Sequence, residues 1–240
     1  MTLLGSLVML VTAAALGQTP QTPAQLPNIN HVVYTNKSEL FLEYRPLIVG
    51  QAVRMTAHLT KVGDSFKAYT EGTVKLELKS ADGAVILDGN SPEPERAGVF
   101  RINVTPTKAG KGRAEISVVT KDVSDRFVID DLQVYPDQST ASAQMPRPDM
   151  TGTISYSKEN QWDNPSYATM AVAKGPNSVP KMAVVEDNGA SYVFVLRTAE
   201  RFEKRKITVG RANGADIQIT DGLRDSERIV SKGADKIPLK

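Results

Sequence analysis

The sequence predicts an all-β protein: an immunoglobulin-like β-sandwich over residues 31–135, followed by a small SH3-like β-barrel over 179–234. Three observations carry this. From Val32 to Tyr135 apolar residues alternate with period two between turn signals. From Val179 the β pattern returns, punctuated by the tight-turn pairs Asn188-Gly189 and Asn213-Gly214. No stretch of useful length carries a helical stripe.

Residues 1–17 read as a signal peptide. Leu3 to Leu16, LLGSLVMLVTAAAL, is uncharged. As a helix it would rise about 21 Å, short of the ~30 Å hydrocarbon core. That length suits a secretory h-region, with small residues at Ala15 and Gly17 ahead of the polar, Pro-rich QTPQTPAQLP. No Lys or Arg precedes it. Residues 18–30 are then a linker.

In the sandwich, VRMTAHLTKV places Val53, Met55, Ala57 and Leu59 on one face and Arg54, Thr56, His58 and Thr60 on the other. TVKLELK sets Val74, Leu76 and Leu78 against Lys75, Glu77 and Lys79. GVFRINV sets Phe100, Ile102 and Val104 against Arg101 and Asn103. Turns fall at Asp82-Gly83, Asp88-Gly89, the Ser91–Pro94 stretch and Gly110-Lys111-Gly112. About seven short strands at this spacing make a two-sheet sandwich. RFVIDDLQVY changes parity between Ile129 and Leu132, which a bulge at Asp130-Asp131 explains.

Residues 136–178 read as a linker and joining segment. PDQSTASAQMPRPDM is rich in Pro, Ser, Gln and Met, and GTISYSKENQW follows with Trp162, the sole tryptophan. From Val179, SYVFVL is an apolar run fit for a buried strand. ERFEKRKITVG, ADIQIT and GLRDSERIVSKG complete four or five strands. Residues 235–240 are a tail.

Composition removes several chemistries. The chain has 240 residues, 29 Lys+Arg against 27 Asp+Glu, and a net charge of +2. Such balance argues against a nucleic-acid-binding stripe or a polybasic membrane anchor. Without cysteine there are no disulfides, thiolate zinc sites or Cys nucleophiles. With two histidines, His31 and His58, neither a three-His zinc site nor an H-E-x-x-H metalloprotease fits in one chain.

The remaining chemistry-bearing residues each have a plain alternative. His31 and His58 could hold a Cu or Zn ion together with Met55 or the linker methionines Met145 and Met150, since thioethers favour Cu(I). By parity, however, His58 is a solvent-facing strand histidine whose removal changes stability little. Asp130-Asp131 could be a carboxylate dyad or the end of a strand. Arg197, Arg201, Lys204, Arg205 and Lys206 form a basic hairpin limb. It is a contact surface for a protein partner or a solvated face. Residues 197–240 carry eleven basic and seven acidic side chains, the strongest electrostatic bias in the chain.

The segment from Val179-Pro180 through Ala183, Asn188-Gly189, Tyr192–Leu196, Thr208–Gly210, Ile217, Gly222-Leu223 and Val230–Gly233 resembles the C-terminal, membrane-proximal part of periplasmic adaptor subunits, or membrane fusion proteins, of RND-type efflux pumps. Asp225-Ser226-Glu227 departs from the glycine usual at the last turn. Glu39-Leu40-Phe41, Glu43-Tyr44, Pro46-Leu47, Val49-Gly50 and Ala57–Thr60 are similar to the extra N-terminal domain of heavy-metal-type adaptors. GTISYSKENQW is similar to their joining segment. In that family a lipoyl-like domain, an α-helical hairpin and a β-barrel follow. Here only the stretch around AVAKGPNS lies between Thr169 and Val179, and no heptads exist to form the hairpin.

The resemblance implies a non-enzymatic adaptor-like subunit without a resident cofactor, in the periplasm and peripheral to the inner membrane. It would dock onto an inner-membrane RND pump and onto other adaptor protomers. The hairpin that reaches the outer-membrane channel is missing. Two other readings stand beside it: a periplasmic module that binds or delivers a soft metal, and a secreted hydrolase using an unrecognised carboxylate pair.

Overall fold

The computed structural model describes residues 25–63, 65–174 and 177–239. The expected signal peptide lies outside them. In the N-terminal half, strands β1 (Ile29–Tyr34), β2 (Ser38–Tyr44), β3 (Leu47–Ile48), β4 (Val53–Lys61) and β5 (Lys67–Ala68) come first. β6 (Thr73–Lys79), β7 (Val85–Ser91), β8 (Val99–Val104) and β9 (Gly110–Val119) follow, and the long β10 runs from Ser124 to Tyr135.

These strands form the two sheets of the expected sandwich. One runs β1-β2-β4, with β8 and β5 sharing the far edge of β4. The other runs β3-β10-β9-β6-β7, with β3 parallel to β10. The alternating residues meet between the sheets: Leu40, Leu42, Met55, Ala57, Leu59, Phe100 and Ile102 from the first, and Val74, Leu76, Ile116, Val118 and Phe127 from the second. Each is almost wholly removed from water, worth about 1.5–3 kcal/mol for a large aliphatic or aromatic side chain.

The bulge falls where the parity changes. Ile129 faces Ala114 and Leu132 faces Gly112, so Asp130 and Asp131 together oppose Arg113. Asp131 takes a left-handed φ of 58°, which returns Leu132 and Val134 to the core. Asp130 pairs with Arg113 at 3.1 Å, in the open. The two carboxylates thus serve the ladder geometry.

The stretch 136–178, expected to be a linker and joining segment, carries regular structure: α1 (Gln138–Gln144), β11 (Ile154–Ser155), α2 (Lys158–Asp163), β12 (Ala168–Ala171) and the start of β13 (Asn177–Pro180). Asp137 caps α1 through Thr140 N–H at 2.7 Å, and Ser157 caps α2 through Asn160 N–H. Ala141, Met145, Tyr156, Trp162 and Tyr167 are buried. Helices this short escape a search for amphipathic periodicity.

The remainder holds β14 (Val185–Asp187), β15 (Ala190–Leu196), β16 (Arg201–Lys206), β17 (Thr208–Asn213), β18 (Asp216–Asp221) and β19 (Arg228–Lys232). One sheet runs β11-β16-β15-β19-β12, with β14 beside the start of β15. The other runs β13-β18-β17. The C-terminal sheet therefore recruits β11 and β12 from the joining segment. The residues expected as a tail include Ile237, which is buried.

β15 is apolar on both faces because it separates two cores. Val193 and Val195 enter a small core with Val179, Ile207, Ile219 and Ile229. Phe194 enters a second core with Phe202, Val230, Tyr156, Trp162 and Tyr167, which also takes Phe66 and Val99 from the sandwich. That shared core joins the two halves.

Trp162 sits in it against Gly98. Gly98 has φ 77°, and a Cβ there would stand 2.7 Å from Trp162 Cζ2. We expect Gly98→Ala to lose about 2 kcal/mol or more, from the strained φ and the displaced indole. Urea denaturation checks the loss, and a red shift of Trp162 emission checks the displacement. A variant of parental stability with unchanged emission would contradict this packing.

Candidate functional site

The joint is built on the outer face of the first sandwich sheet. Alternation along β2 and β4 sends Glu39, Phe41, His58 and Thr60 away from the sandwich core. That face is covered by α2 and the C-terminal half. In β4 the alternating burial gives way to a continuous buried run, Ala57 to Thr60.

His58 is consequently 7% exposed, not solvent-facing. Its parity is as read, but the face is dry. Its ring lies 5.1 Å from Phe41 and 6.4 Å from Trp162, centroid to centroid. Nε2 meets Glu43 Oε2 at 3.2 Å, and Nδ1 is buried without a partner.

His31, by contrast, pairs with Leu42 on the core-side parity and meets the Tyr44 hydroxyl at 2.9 Å. Burial pulls its pKa below the ordinary imidazole value. Met55 is fully buried in the sandwich core. Sheet parity thus places His31 and Met55 on one side of the first sheet and His58 on the other. The three cannot share an ion. Among the described residues no group of three His, Asp or Glu side chains is placed to hold a metal.

At the centre of the joint is an ion pair the sequence did not reveal. Lys158, on α2, is 0% exposed and Glu39, on β2, is 1% exposed. Lys158 Nζ donates to Glu39 Oε1 and, at 3.1 Å, to Gln161 Oε1. It also stands 4.5 Å from the Phe66 ring centroid and 5.8 Å from that of Trp162. Burial pulls the Lys158 pKa down, and the Glu39 charge opposes that shift.

Other polar contacts pin the same surfaces. Gln161 Nε2 donates to the carbonyls of Tyr156 and Ala199 at 2.8 and 2.7 Å. Trp162 Nε1 donates to Thr60 Oγ1 at 2.9 Å. The Arg228 guanidinium of β19 lies 3.6 Å over the Tyr34 ring of β1. Burial, reinforced by the Glu39 charge, pushes the Tyr34 and Tyr167 hydroxyls well above their ordinary pKa. The sequence held two signals for this joint: a lone tryptophan inside the joining segment, and Ser157 in cap position before it.

The basic limb falls on β15–β16, and most of its charge is already matched. Arg197 meets Glu203 at 3.1 Å. Arg205 meets Glu203 at 2.7 Å and Glu227 at 2.6 Å. Lys204 pairs with Asp187 and stands 4.5 Å from the Tyr192 ring centroid. The hydrogen bond from Arg205, with Arg197 beside it, holds the Glu203 carboxyl down at about 2. Arg201 donates to Thr153 Oγ1 at 2.9 Å, and Lys206 is exposed. Neither has an acidic partner within 4 Å among the described residues. Beside Lys206, β17 is exposed along its whole length and forms the open edge of its sheet.

Comparison with known proteins meets this geometry. Residues 178–234 match the CzcB C-terminal circularly permuted SH3-like domain. The chain is 24% identical over 200 residues to the nickel-cobalt-cadmium resistance protein NccB of Alcaligenes xylosoxydans xylosoxydans. That match takes in 78% of this chain and 41% of the relative, so the chain spans less than half of the relative's length. Together they bear out the resemblance: the chain is like a heavy-metal RND adaptor and carries an SH3-like C-terminal domain. No helix of the described residues is long and apolar enough to cross a membrane.

Removing one member of the buried pair strands the other. Lys158→Met or Glu39→Leu alone should cost about 3–5 kcal/mol, and the two together should recover most of it. Chemical denaturation of the four proteins in a mutant cycle measures this; additive losses would show the two groups uncoupled. For Glu203 the sign follows from its depressed pKa. Its stabilisation is complete above the ordinary value of 4.5 and disappears as pH falls towards about 2. The stability gap between the parent and Glu203→Gln should therefore be pH-independent near neutrality and shrink through the acid range. A gap that widens on acidification would reverse the assignment.

Proposed function

We propose that the chain is a non-enzymatic, adaptor-like subunit of a heavy-metal RND-type efflux system, working in the periplasm at the surface of the inner membrane. It acts by docking onto the inner-membrane pump through its C-terminal domain. The match of residues 178–234 to the CzcB-type SH3-like domain carries this reading. The likeness to NccB, whose name describes nickel, cobalt and cadmium resistance, supports the heavy-metal assignment.

The docking surface centres on the open edge of β17 and on Lys206, the end of the basic limb that leads into it. Among the described residues Lys206 keeps charge that no acidic side chain within 4 Å neutralises, and Arg211 lies exposed on β17 itself. Val209, 36% exposed, and Met182, 60% exposed, add apolar area on the same domain. Arg197, Lys204 and Arg205, bound to Glu203, Asp187 and Glu227, act as its frame. Cations at an interface rim chiefly accelerate association and make it sensitive to salt.

Changing Lys206 and Arg211 together to Glu should weaken capture of the RND pump by at least tenfold, or about 1.4 kcal/mol. Raised salt should weaken parental capture in the same direction. Circular dichroism and Trp162 emission verify that the variant is folded. Full capture by the folded variant would remove this edge from the contact.

A further inference from the structure

A cleft of about 410 Å³ opens beside the joint. It lies between the Asn28–Asn30 start of β1, Glu43 near the end of β2, the Pro146–Pro148 strap after α1, and the Thr198–Arg201 turn ahead of β16. Phe41, 2% exposed, and Met150 supply its apolar lining. Its size falls in the range of small-molecule sites, and domain boundaries are where such sites concentrate.

Four charged residues line the cleft: Glu43, Glu200, Arg147 and Arg201. Opposite charges that share a cavity ordinarily close into ion pairs. Among the described residues these four do not pair with one another. Glu43 meets His58 Nε2. Glu200 Oε1 accepts the Lys158 backbone N–H at 2.6 Å. Arg147 donates to the Ser142 carbonyl at 3.0 Å, and Arg201 to the Thr153 hydroxyl. Each is held apart from the others by its own partner, so the cleft keeps two anions and two cations with hydrogen-bonding capacity to spare. Burial raises the Glu200 pKa, and the nearby Glu43 charge adds to the rise while the Lys158 N–H opposes it. An arriving cation would relieve that strain.

We propose that this cleft binds a small zwitterion, with the chemistry of a free α-amino acid. Its ammonium meets Glu43 and Glu200, its carboxylate meets the guanidinium groups of Arg147 and Arg201, and its side chain lies against Phe41 and Met150. Guanidinium and carboxylate match in planar, two-pronged geometry, and hydrogen bonds between charged partners are the stronger kind. A ligand of one charge would satisfy half of the lining and leave the other half as it is. The site is separate from the β17 edge, and it stands whether or not the C-terminal domain meets a pump.

Calorimetric titration of the full chain tests this, with L-methionine as the probe and putrescine and acetate as ligands of one charge sign. The expected result is saturable binding of one methionine per chain, with both controls at least tenfold weaker. Glu200→Gln keeps an acceptor for the Lys158 N–H, and Arg147 is exposed, so both variants should fold, as Trp162 emission will show. Each should weaken methionine binding at least tenfold. Absence of saturable binding would overturn the proposal. So would equal binding of putrescine or acetate, or methionine affinity that survives both substitutions.

Discussion

A lysine and a glutamate with no access to water hold this protein in one piece. Lys158 comes from a short helix in the joining segment and Glu39 from the second strand of the sandwich. Withdrawing both from solvent costs several kcal/mol per ion, recovered only while their geometry and the surrounding hydrogen bonds stay intact. The surroundings answer that demand. Gln161 Oε1 accepts a further hydrogen bond from the Lys158 ammonium, and Phe66 and Trp162 present ring faces to it. The seal around them is made by Tyr156, Tyr167, Phe194 and Phe202. The pair gives the joint a register: a helix shifted by one residue would leave two bare charges in an apolar core.

The two halves consequently share a core. β15 is the wall between that core and the interior of the C-terminal domain, which explains why one strand is apolar on both faces. A load placed on the C-terminal domain reaches the sandwich through packed side chains. For the proposed docking role this has a mechanical consequence. The orientation of the sandwich is set by wherever the SH3-like domain is seated.

Electrostatics divides the surface into structural and available charge. Glu203 binds Arg197 and Arg205, and Glu227 binds Arg205 again, a compact network on one sheet face. Formal charge along β16 therefore overstates what a partner would encounter. What remains for an outside partner at this edge is Lys206 and the open β17 strand with Arg211.

Much of the fold was legible because burial on one face of a strand leaves a period-two trace. The sandwich, its turns and the bulge at Asp130-Asp131 all carry that trace, and SYVFVL announces a strand buried on both sides. The C-terminal domain was legible through a pattern of Gly, Pro and β-branched residues along its whole length. Parity also determined which face His58 occupies. Only the tertiary structure decided that this face is dry, since alternation records the side of a sheet and not what covers it. It likewise decided that His31 and Met55 lie across the sheet from His58, and that the basic limb is largely neutralised by Glu203, Asp187 and Glu227. The joint was illegible for the same reason. Lys158 and Glu39 are far apart in the chain, each looks like an ordinary surface charge, and only folding brings them together out of water.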